Sequence, residues 1–164
     1  MEEGSETRPS ISVVGIGSRE RGDDAVGFAV VQALRGLVPG VEILEHDGEG
    51  VDLIAGWRDR RTVFLVDAVV SGSAPGTIRR VDLIRERIAM NVRGLSSHRI
   101  GLAQVIELAR TLESLPSELV LYGVEGCRFH PGDGLSPAVL AAVPRVARAI
   151  QDDLHASLRL TPLN

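Results

Sequence analysis

The sequence predicts a three-layer α/β/α sandwich built on a mostly parallel, twisted sheet of about five strands. Apolar segments of strand length alternate with amphipathic segments of helix length, the pattern of a parallel sheet covered on both faces. Aromatic residues make up only 3% of the chain, which favours helices packed on an aliphatic sheet. The 164 residues are enough for a single domain, expected at residues 10–156, and the tails 1–9 and 157–164 lack periodicity and are expected to be loose.

The elements follow from the apolar pattern along the chain. Strands are expected at residues 11–17, 41–46, 62–67, 76–82 and 118–123, where short apolar runs are bounded by turn residues. Helices are expected at residues 23–37, 51–57, 98–112 and 136–155, the last two with apolar residues at three- and four-residue spacing. The segment 71–75 is too short for a helical crossover, so the strand at 76–82 is predicted to be antiparallel and to lie at an edge.

Charge and cysteine usage exclude several classes of function. The net charge is −4 and no basic segment is interleaved with aromatic residues, so nucleic acid is not an expected partner. The single cysteine, Cys127, excludes an internal disulfide and a cysteine-based zinc site. Residues 1–8 are polar and acidic, and no apolar run approaches the roughly 18 residues of a membrane span. No membrane association is expected, and the cytoplasm is the expected compartment.

Two aspartates and a histidine stand where predicted strands end or a later helix begins. Asp24 follows the first strand, Asp67 closes the third, and His98 opens the helix predicted at 98–112. Ligands of open α/β sheets bind outside the carboxyl ends of the strands, where the winding reverses. In the common strand order 2-1-3, the loops that carry Asp24 and Asp67 face one crevice, and the segment before His98 can close over it. These three residues are therefore the candidate catalytic residues and metal ligands.

Each of these residues also has a purely structural interpretation. Asp23 and Asp24 can each cap the helix that begins there, and we interpret Asp23 as such a cap, worth about 1 kcal/mol. Asp67 can stabilise a loop at a strand end, and His98 can be a surface residue of a first helical turn. Three unrelated structural roles explain the joint pattern less well than one shared site does.

The glycine turn at Gly15 and Gly17 raises the alternative of a nucleotide site, since a strand, a glycine turn and a helix start form an anion cradle. The spacing differs from the dinucleotide fingerprint, and no Gly-Lys-Ser/Thr follows. Asp23 and Asp24 occupy the position of a phosphate and would repel it by about 1 kcal/mol or more at an effective dielectric of about 20. We therefore expect no nucleotide and favour a cation.

A second class that fits the acid placement is the receiver domain of signalling pathways. Receiver domains place an acid pair after the first strand, a phospho-accepting aspartate at the end of the third, and magnesium between them. They also need a lysine after the last strand, and this sequence contains no lysine. Receiver acids follow the strand directly, whereas here residues 17–22 intervene. This alternative is less favoured, and a non-catalytic metal-binding or scaffold protein is a third.

Five segments of the chain stand at residues 14–27, 63–68, 96–101, 121–126 and 134–139. In their order and spacing they resemble the hydrogenase maturation endopeptidases. The resemblance runs from residue 11 to residue 143. It implies a protease that removes a short C-terminal peptide from the precursor of a nickel–iron hydrogenase large subunit after the metal centre is loaded. By the same resemblance, Asp24, Asp67 and His98 would contact nickel that the precursor supplies.

The resemblance implies further roles and also has departures. Gly15 and Gly17 would shape the cleft, and Asp47, which matches an acidic position of the family, would assist. Ser18 stands where the family usually has Asn, residues 19–21 are all charged, and residues 124–126 differ from the Gln-Pro that often ends the last strand. These departures leave open which hydrogenase is matured, and they keep a metal-dependent peptidase with another client as an alternative.

The implied chemistry is sound in general terms. A divalent ion lowers the pKa of bound water and polarises a carbonyl oxygen, so a neighbouring carboxylate can act as general base for peptide hydrolysis. Two questions stay open at this point: which carboxylate is the base, and whether nickel is catalytic or only marks the scissile bond.

Overall fold

The computed structural model of the chain describes residues 10–47, 50, 52–87 and 101–159. In this part of the chain the strands are β1 (Ile11–Ile16), β2 (Glu42–His46), β3 (Thr62–Val69), β4 (Ile78–Asp82) and β5 (Glu118–Glu125). The helices are α1 (Val26–Leu34), α2 (Asp52–Trp57), α3 (Leu102–Thr111) and α4 (Pro137–Arg159), and a 3-10 helix (Gly22–Ala25) precedes α1. Each predicted strand and helix has a counterpart, with bounds shifted by a few residues.

The strands form one mixed sheet in the order β2-β1-β3-β5-β4. β1 pairs in parallel with both β2 and β3, and Gly15 of β1 lies opposite Val66 of β3. β5 pairs in parallel with β3, with Gly123 opposite Asp67, and β4 is antiparallel to β5. The predicted α/β class, the 2-1-3 order and the antiparallel edge strand are confirmed. Because β1 and β3 are parallel neighbours, their carboxyl ends lie side by side.

Helices cover both faces of the sheet, which gives the three predicted layers. Alternate residues of β3 point to opposite faces: Phe64 and Val66 belong to the core under α1 and α4, and Val63 and Leu65 to the core under α2 and α3. All four side chains are at most 1% exposed. Burial on both faces explains why the central strands are continuously apolar instead of alternating with polar residues.

Two helices differ from the expectation by more than such a shift. The helix expected at 23–37 is divided into the 3-10 helix and α1, which ends at Leu34 because Arg35 is extended and Gly36 has φ +78°. The last helix continues to Arg159, beyond residue 157, where the tail was expected to begin. Residues 1–9 and 160–164 lie outside the described residues, and the domain limits stay a prediction. Among the described helices none is long and apolar enough to cross a membrane.

Candidate active site

Asp24 and Asp67 come together at the carboxyl ends of β1 and β3. Asp24 lies in the 3-10 helix that follows β1, and Asp67 lies in β3, two residues before its end. Both residues are half-buried. Their carboxylates interact electrostatically, since the charge of Asp24 raises the pKa of Asp67. The structure thus brings together two of the three residues that the sequence singles out.

The pKa of Asp67 is raised well above its usual value. The largest cause is burial, which disfavours the charged form, and the second is repulsion by Asp24. A hydrogen bond from the backbone N–H of Ala68 opposes this rise only in part. Within the described residues, no arginine or histidine forms an ion pair with Asp67. The charged form of this carboxylate is therefore left largely uncompensated by the described part of the chain.

Asp24 is held by a tight glycine turn. A Cβ atom at Gly17, where φ is +142°, would lie 1.7 Å from the backbone oxygen of Asp24, so only glycine fits there. The Ser18 N–H donates to that oxygen at 3.3 Å. Burial raises the pKa of the Asp24 carboxyl, while the charge of Arg21 and the Ser18 N–H work against that rise. The turn thus fixes the backbone of Asp24 against the end of β1.

Gly15 brings helix α1 onto the sheet beneath this turn. A Cβ atom at Gly15 would lie 2.3 Å from the backbone oxygen of Gly27, near the start of α1. A Cβ atom at Gly27 would lie 2.5 Å from the backbone oxygen of Val66. This contact of helix backbone with strand backbone sets how near Asp24 comes to Asp67.

Of the two remaining predicted residues, Asp47 and His98, the structure describes only Asp47. Asp47 directly follows β2 at the same edge of the sheet, is exposed, and lies 3.4 Å from His46 between Oδ1 and Nδ1. Because β1 separates β2 from β3, Asp47 lies at the rim of the edge and not between Asp24 and Asp67. His98 lies outside the described residues, so its role as third ligand stays a prediction. Within the described ranges, no group of three or more His, Cys, Asp or Glu residues could hold a metal ion.

The interpretation of Asp23 as a helix cap is wrong. The 3-10 helix has no side-chain cap, and Asp23 is fully buried, with its carboxylate directed towards the loop between β5 and α4. It accepts hydrogen bonds from the N–H groups of Cys127 at 2.8 Å and Arg128 at 2.9 Å. It also accepts from the N–H of Ser136 at 2.6 Å and from its hydroxyl at 2.9 Å. Burial raises the pKa of Asp23, but these donors together outweigh burial and lower it.

Glu125 is a second buried carboxylate near the same edge. It is 3% exposed and accepts hydrogen bonds from the Ser71 N–H and hydroxyl, both at 2.8 Å, and from the Gly72 N–H at 2.9 Å. These bonds attach the connection between β3 and β4 to the end of β5. Sequence reasoning did not find the partners of either carboxylate, because the donors are mostly backbone N–H groups that leave no residue signature.

Comparisons with known proteins identify the family of this chain. A family model, HycI, hydrogenase maturation protease, matches residues 29–153, a range that includes Asp67 and begins after Asp24. The chain is 35% identical over 138 residues to the hydrogenase 2 maturation protease of Escherichia coli K12, which covers 81% of this chain and 83% of that protein. It is 28% identical over 148 residues to the hydrogenase expression/formation protein HupD of Thiocapsa roseopersicina, covering 87% and 67%.

Solved structures agree with the sequence comparisons. The hydrogenase maturating endopeptidase HybD from E. coli superposes with a TM-score of 0.76 at 31% identity, over 90% of this chain and 93% of that one. The [NiFe] hydrogenase maturation protease HycI from Thermococcus kodakarensis KOD1 superposes with a TM-score of 0.66 at 28% identity, over the same shares. This chain belongs to the hydrogenase maturation protease family and is a hydrolase. The receiver-domain alternative is wrong, in keeping with an edge strand that is antiparallel.

Proposed function

We propose that this protein is an endopeptidase that removes a C-terminal peptide from the nickel-loaded precursor of a nickel–iron hydrogenase large subunit. Membership of the family supports a protease that acts in hydrogenase maturation. The identity of the substrate precursor and the presence of nickel in it are what we propose. The observation that carries it is the half-buried pair Asp24 and Asp67, two carboxylates that repel each other at the carboxyl ends of neighbouring strands. In this proposal nickel belongs to the precursor and is part of the substrate.

The side chains at the carboxyl ends of β1 and β3 suit a divalent cation. A cation bound between Asp24 and Asp67 would relieve the repulsion that raises the pKa of Asp67. His98 would add a nitrogen ligand, as its place in the motif order implies. Two carboxylates and one imidazole, without a thiolate, form a modest site for a borderline ion. The precursor therefore supplies the stronger ligands, and recognition needs both partners.

The residues of the pair have separate tasks in hydrolysis. When bound, the nickel of the precursor supplies a Lewis acid that polarises the scissile carbonyl. Asp67 is the better general base, because burial, the largest cause of its raised pKa, does not depend on Asp24 and makes its carboxylate a stronger proton acceptor. Asp67 takes a proton from the attacking water and returns it to the nitrogen of the leaving peptide. Asp24, held by the Gly17 turn, orients the metal-bearing segment of the precursor.

The proposal also includes the cytoplasm as the compartment. The chain has a single cysteine and cannot form an internal disulfide, which suits a reducing environment. The precursor is expected to meet the protease there as a folded, metal-loaded chain.

Mass analysis of the precursor C-terminus tests the proposed function. The nickel-loaded precursor is incubated with the protein, and the same precursor prepared without nickel is the matched control. We expect the loss of one C-terminal peptide from the loaded precursor and an unchanged mass for the nickel-free form. Equal cleavage of both forms would refute the role of nickel, and no cleavage of either would refute the client.

Elemental analysis of the purified protein tests where the metal comes from. We expect no stoichiometric metal, because the ligands of this chain alone form a weak site. One tightly held zinc or nickel ion per chain, together with cleavage of a nickel-free peptide, would favour a self-contained metallopeptidase with another client.

A further inference from the structure

Two loops are joined backbone to backbone beside the candidate active site. One is the turn at residues 20–23, which precedes Asp24, and the other is the loop at residues 126–136 between β5 and α4. The Asp23 N–H donates to the Arg128 carbonyl at 2.7 Å and the Gly22 N–H to the Asp133 carbonyl at 3.1 Å. In the opposite direction, the Gly132 N–H donates to the Glu20 carbonyl at 2.8 Å. The two loops therefore pack as one layer.

The Asp23 carboxylate is the only side chain among the described residues that accepts from both ends of the second loop. Oδ2 accepts from the N–H groups of Cys127 and Arg128, at the start of the loop, and from the Ser136 hydroxyl. Oδ1 accepts from the Ser136 N–H at the loop end. An asparagine at this position would direct an NH₂ group at one of these N–H donors, so a neutral isostere cannot make the same four bonds.

The contact between the two loops is tightly packed. A Cβ atom at Gly22 would lie 2.3 Å from the backbone oxygen of Arg128, and one at Gly126 would lie 2.4 Å from the ring of Phe129. The same added Cβ at Gly126 would lie 3.0 Å from the Cβ of Asp23. Such close packing allows little sliding of one loop on the other. The position of Asp23 is thus fixed by the loop at residues 126–136.

This fixed position determines where the next residue lies. The Cα atoms of Asp23 and Asp24 are about 3.8 Å apart across one peptide bond. The 3-10 helix that contains both has no side-chain cap of its own, so the bonds of Asp23, together with that of the Gly22 N–H, orient it on this side. A shift of about 1 Å in a catalytic group can cost about 100-fold in rate.

We propose that Asp23 is a positioning residue, which holds the 3-10 helix so that the Asp24 carboxylate faces Asp67 and which fixes the loop at residues 126–136 as a rigid wall of the site. Cys127, Arg128 and His130 are exposed on that wall, where a precursor bound at the edge would meet them. The role in processing rests on the proposed function, whereas the positioning itself does not.

The test compares Asp23→Asn with Asp153→Asn in the full chain. Asp153 is a matched control, because its carboxylate also accepts two short bonds, from Tyr122 Oη and Arg80 Nε, both at 2.7 Å, away from this edge. With nickel-loaded precursor, we expect kcat of Asp23→Asn to fall about 10- to 100-fold while KM changes less than about threefold. Asp153→Asn should keep the kcat of the wild type. A kcat for Asp23→Asn equal to that of Asp153→Asn would overturn the proposal.

Hydrogen exchange gives a readout that does not need the precursor. Asp23→Asn should lose protection at the Cys127, Arg128 and Ser136 amides and also at the Asp24 amide, which donates to the Arg21 carbonyl at 3.2 Å. Asp153→Asn should lose none of this protection. Wild-type protection of the Asp24 amide in Asp23→Asn would overturn the positioning role. A wild-type protein that leaves the precursor uncut would refute the proposed function alone, and exchange would then decide the role of Asp23.

A milder variant covers the case in which Asp23→Asn does not fold. Ser136→Ala removes only the hydroxyl donor at 2.9 Å and keeps the backbone N–H. We expect kcat to fall about threefold, with protection lowered at Cys127 and Asp24. Unchanged kcat together with unchanged protection would count against the proposal.

Discussion

The carboxylates at the amino end of the sheet differ from the pair at its carboxyl end in the partners that the chain provides for them. At the amino end, Glu42 begins β2 and forms an ion pair with Arg60, and Glu118 begins β5 and accepts a hydrogen bond from the Thr62 hydroxyl at 3.0 Å. Each of these carboxylates has a partner within the chain. These contacts hold both carboxylates within the fold.

At the carboxyl end, Asp24 and Asp67 are close enough for their charges to interact, and Asp67 forms no ion pair with a cation among the described residues. Burial and mutual repulsion raise the pKa of Asp67, a cost to folding that a purely structural pair would not carry. Directly beside Asp24, the carboxylate of Asp23 has four donors and a lowered pKa. The chain is thus able to satisfy a buried carboxylate at this end, and the uncompensated pair is specific to the candidate active site.

The largest expected effect is loss of processing when the carboxyl-end pair is changed. Asp24→Ala and Asp67→Ala should each lower kcat/KM by about 100- to 10,000-fold, since they remove a ligand or the base. His98→Ala should have the same effect if it is the third ligand. The matched control is Glu118→Gln at the amino end, which should process the precursor as the wild type does.

The rate of C-terminal peptide release measures each of these variants. Wild-type processing by Asp67→Ala would contradict the functional assignment of the carboxyl end. Loss of processing in Glu118→Gln without loss of stability would remove the contrast between the two ends.

A second effect concerns the close contact that builds the carboxyl end. Gly27→Ala should lower the free energy of unfolding by about 3 kcal/mol or more, because its Cβ would lie 2.4 Å from the Ile16 oxygen and 2.5 Å from the Val66 oxygen. Gly56→Ala in helix α2 is the control, since nothing lies within 4 Å of its Cβ position. It should stabilise the protein by about 0.5–1 kcal/mol. Urea unfolding measures both, and equal effects would contradict the close approach.

The smallest effect is on stability and its pH dependence. Because folding raises the pKa of Asp67, the wild type loses stability as the pH rises from about 4 through the folded-state pKa. Asp67→Asn should remove this loss and melt about 4 °C higher at neutral pH. Asp23 contributes to stability in the opposite direction. Because folding lowers its pKa, it stabilises the fold above the usual carboxyl range, and this stabilisation is lost as the pH falls.

Thermal melts between pH 4 and pH 8 in the presence of a chelator measure this difference. If Asp67→Asn melted below the wild type at neutral pH, the pair would be a structural feature and not an uncompensated one.

The sequence predicts the placement of Asp24 and Asp67 because that placement depends on general rules of α/β sheets. Aliphatic runs mark the strands, and the short segment 71–75 marks the edge strand β4. Parallel neighbours bring the ends of β1 and β3 together. The strand order therefore predicts that these residues, 43 positions apart, lie at the same end of the sheet.

The role of Asp23 could not be predicted in this way. Its partner Ser136 is 113 residues away, and Glu125 is 54 residues from Ser71. In both cases most donors are backbone N–H groups, which every residue except proline provides. Local sequence cannot distinguish an aspartate that caps a helix from one that is buried against a distant loop. The third predicted ligand, His98, lies outside the described residues.

The most direct measurement is a carboxyl ¹³C NMR titration of Asp67 in the wild type and in Asp24→Asn, without metal. An uncompensated pair predicts that the pKa of Asp67 lies well above about 3.9, the usual value for aspartate, and falls when the charge of Asp24 is removed. An ordinary pKa in the wild type, or one that Asp24→Asn leaves unchanged, would contradict the claim that the carboxyl end of the sheet holds two carboxylates that repel each other.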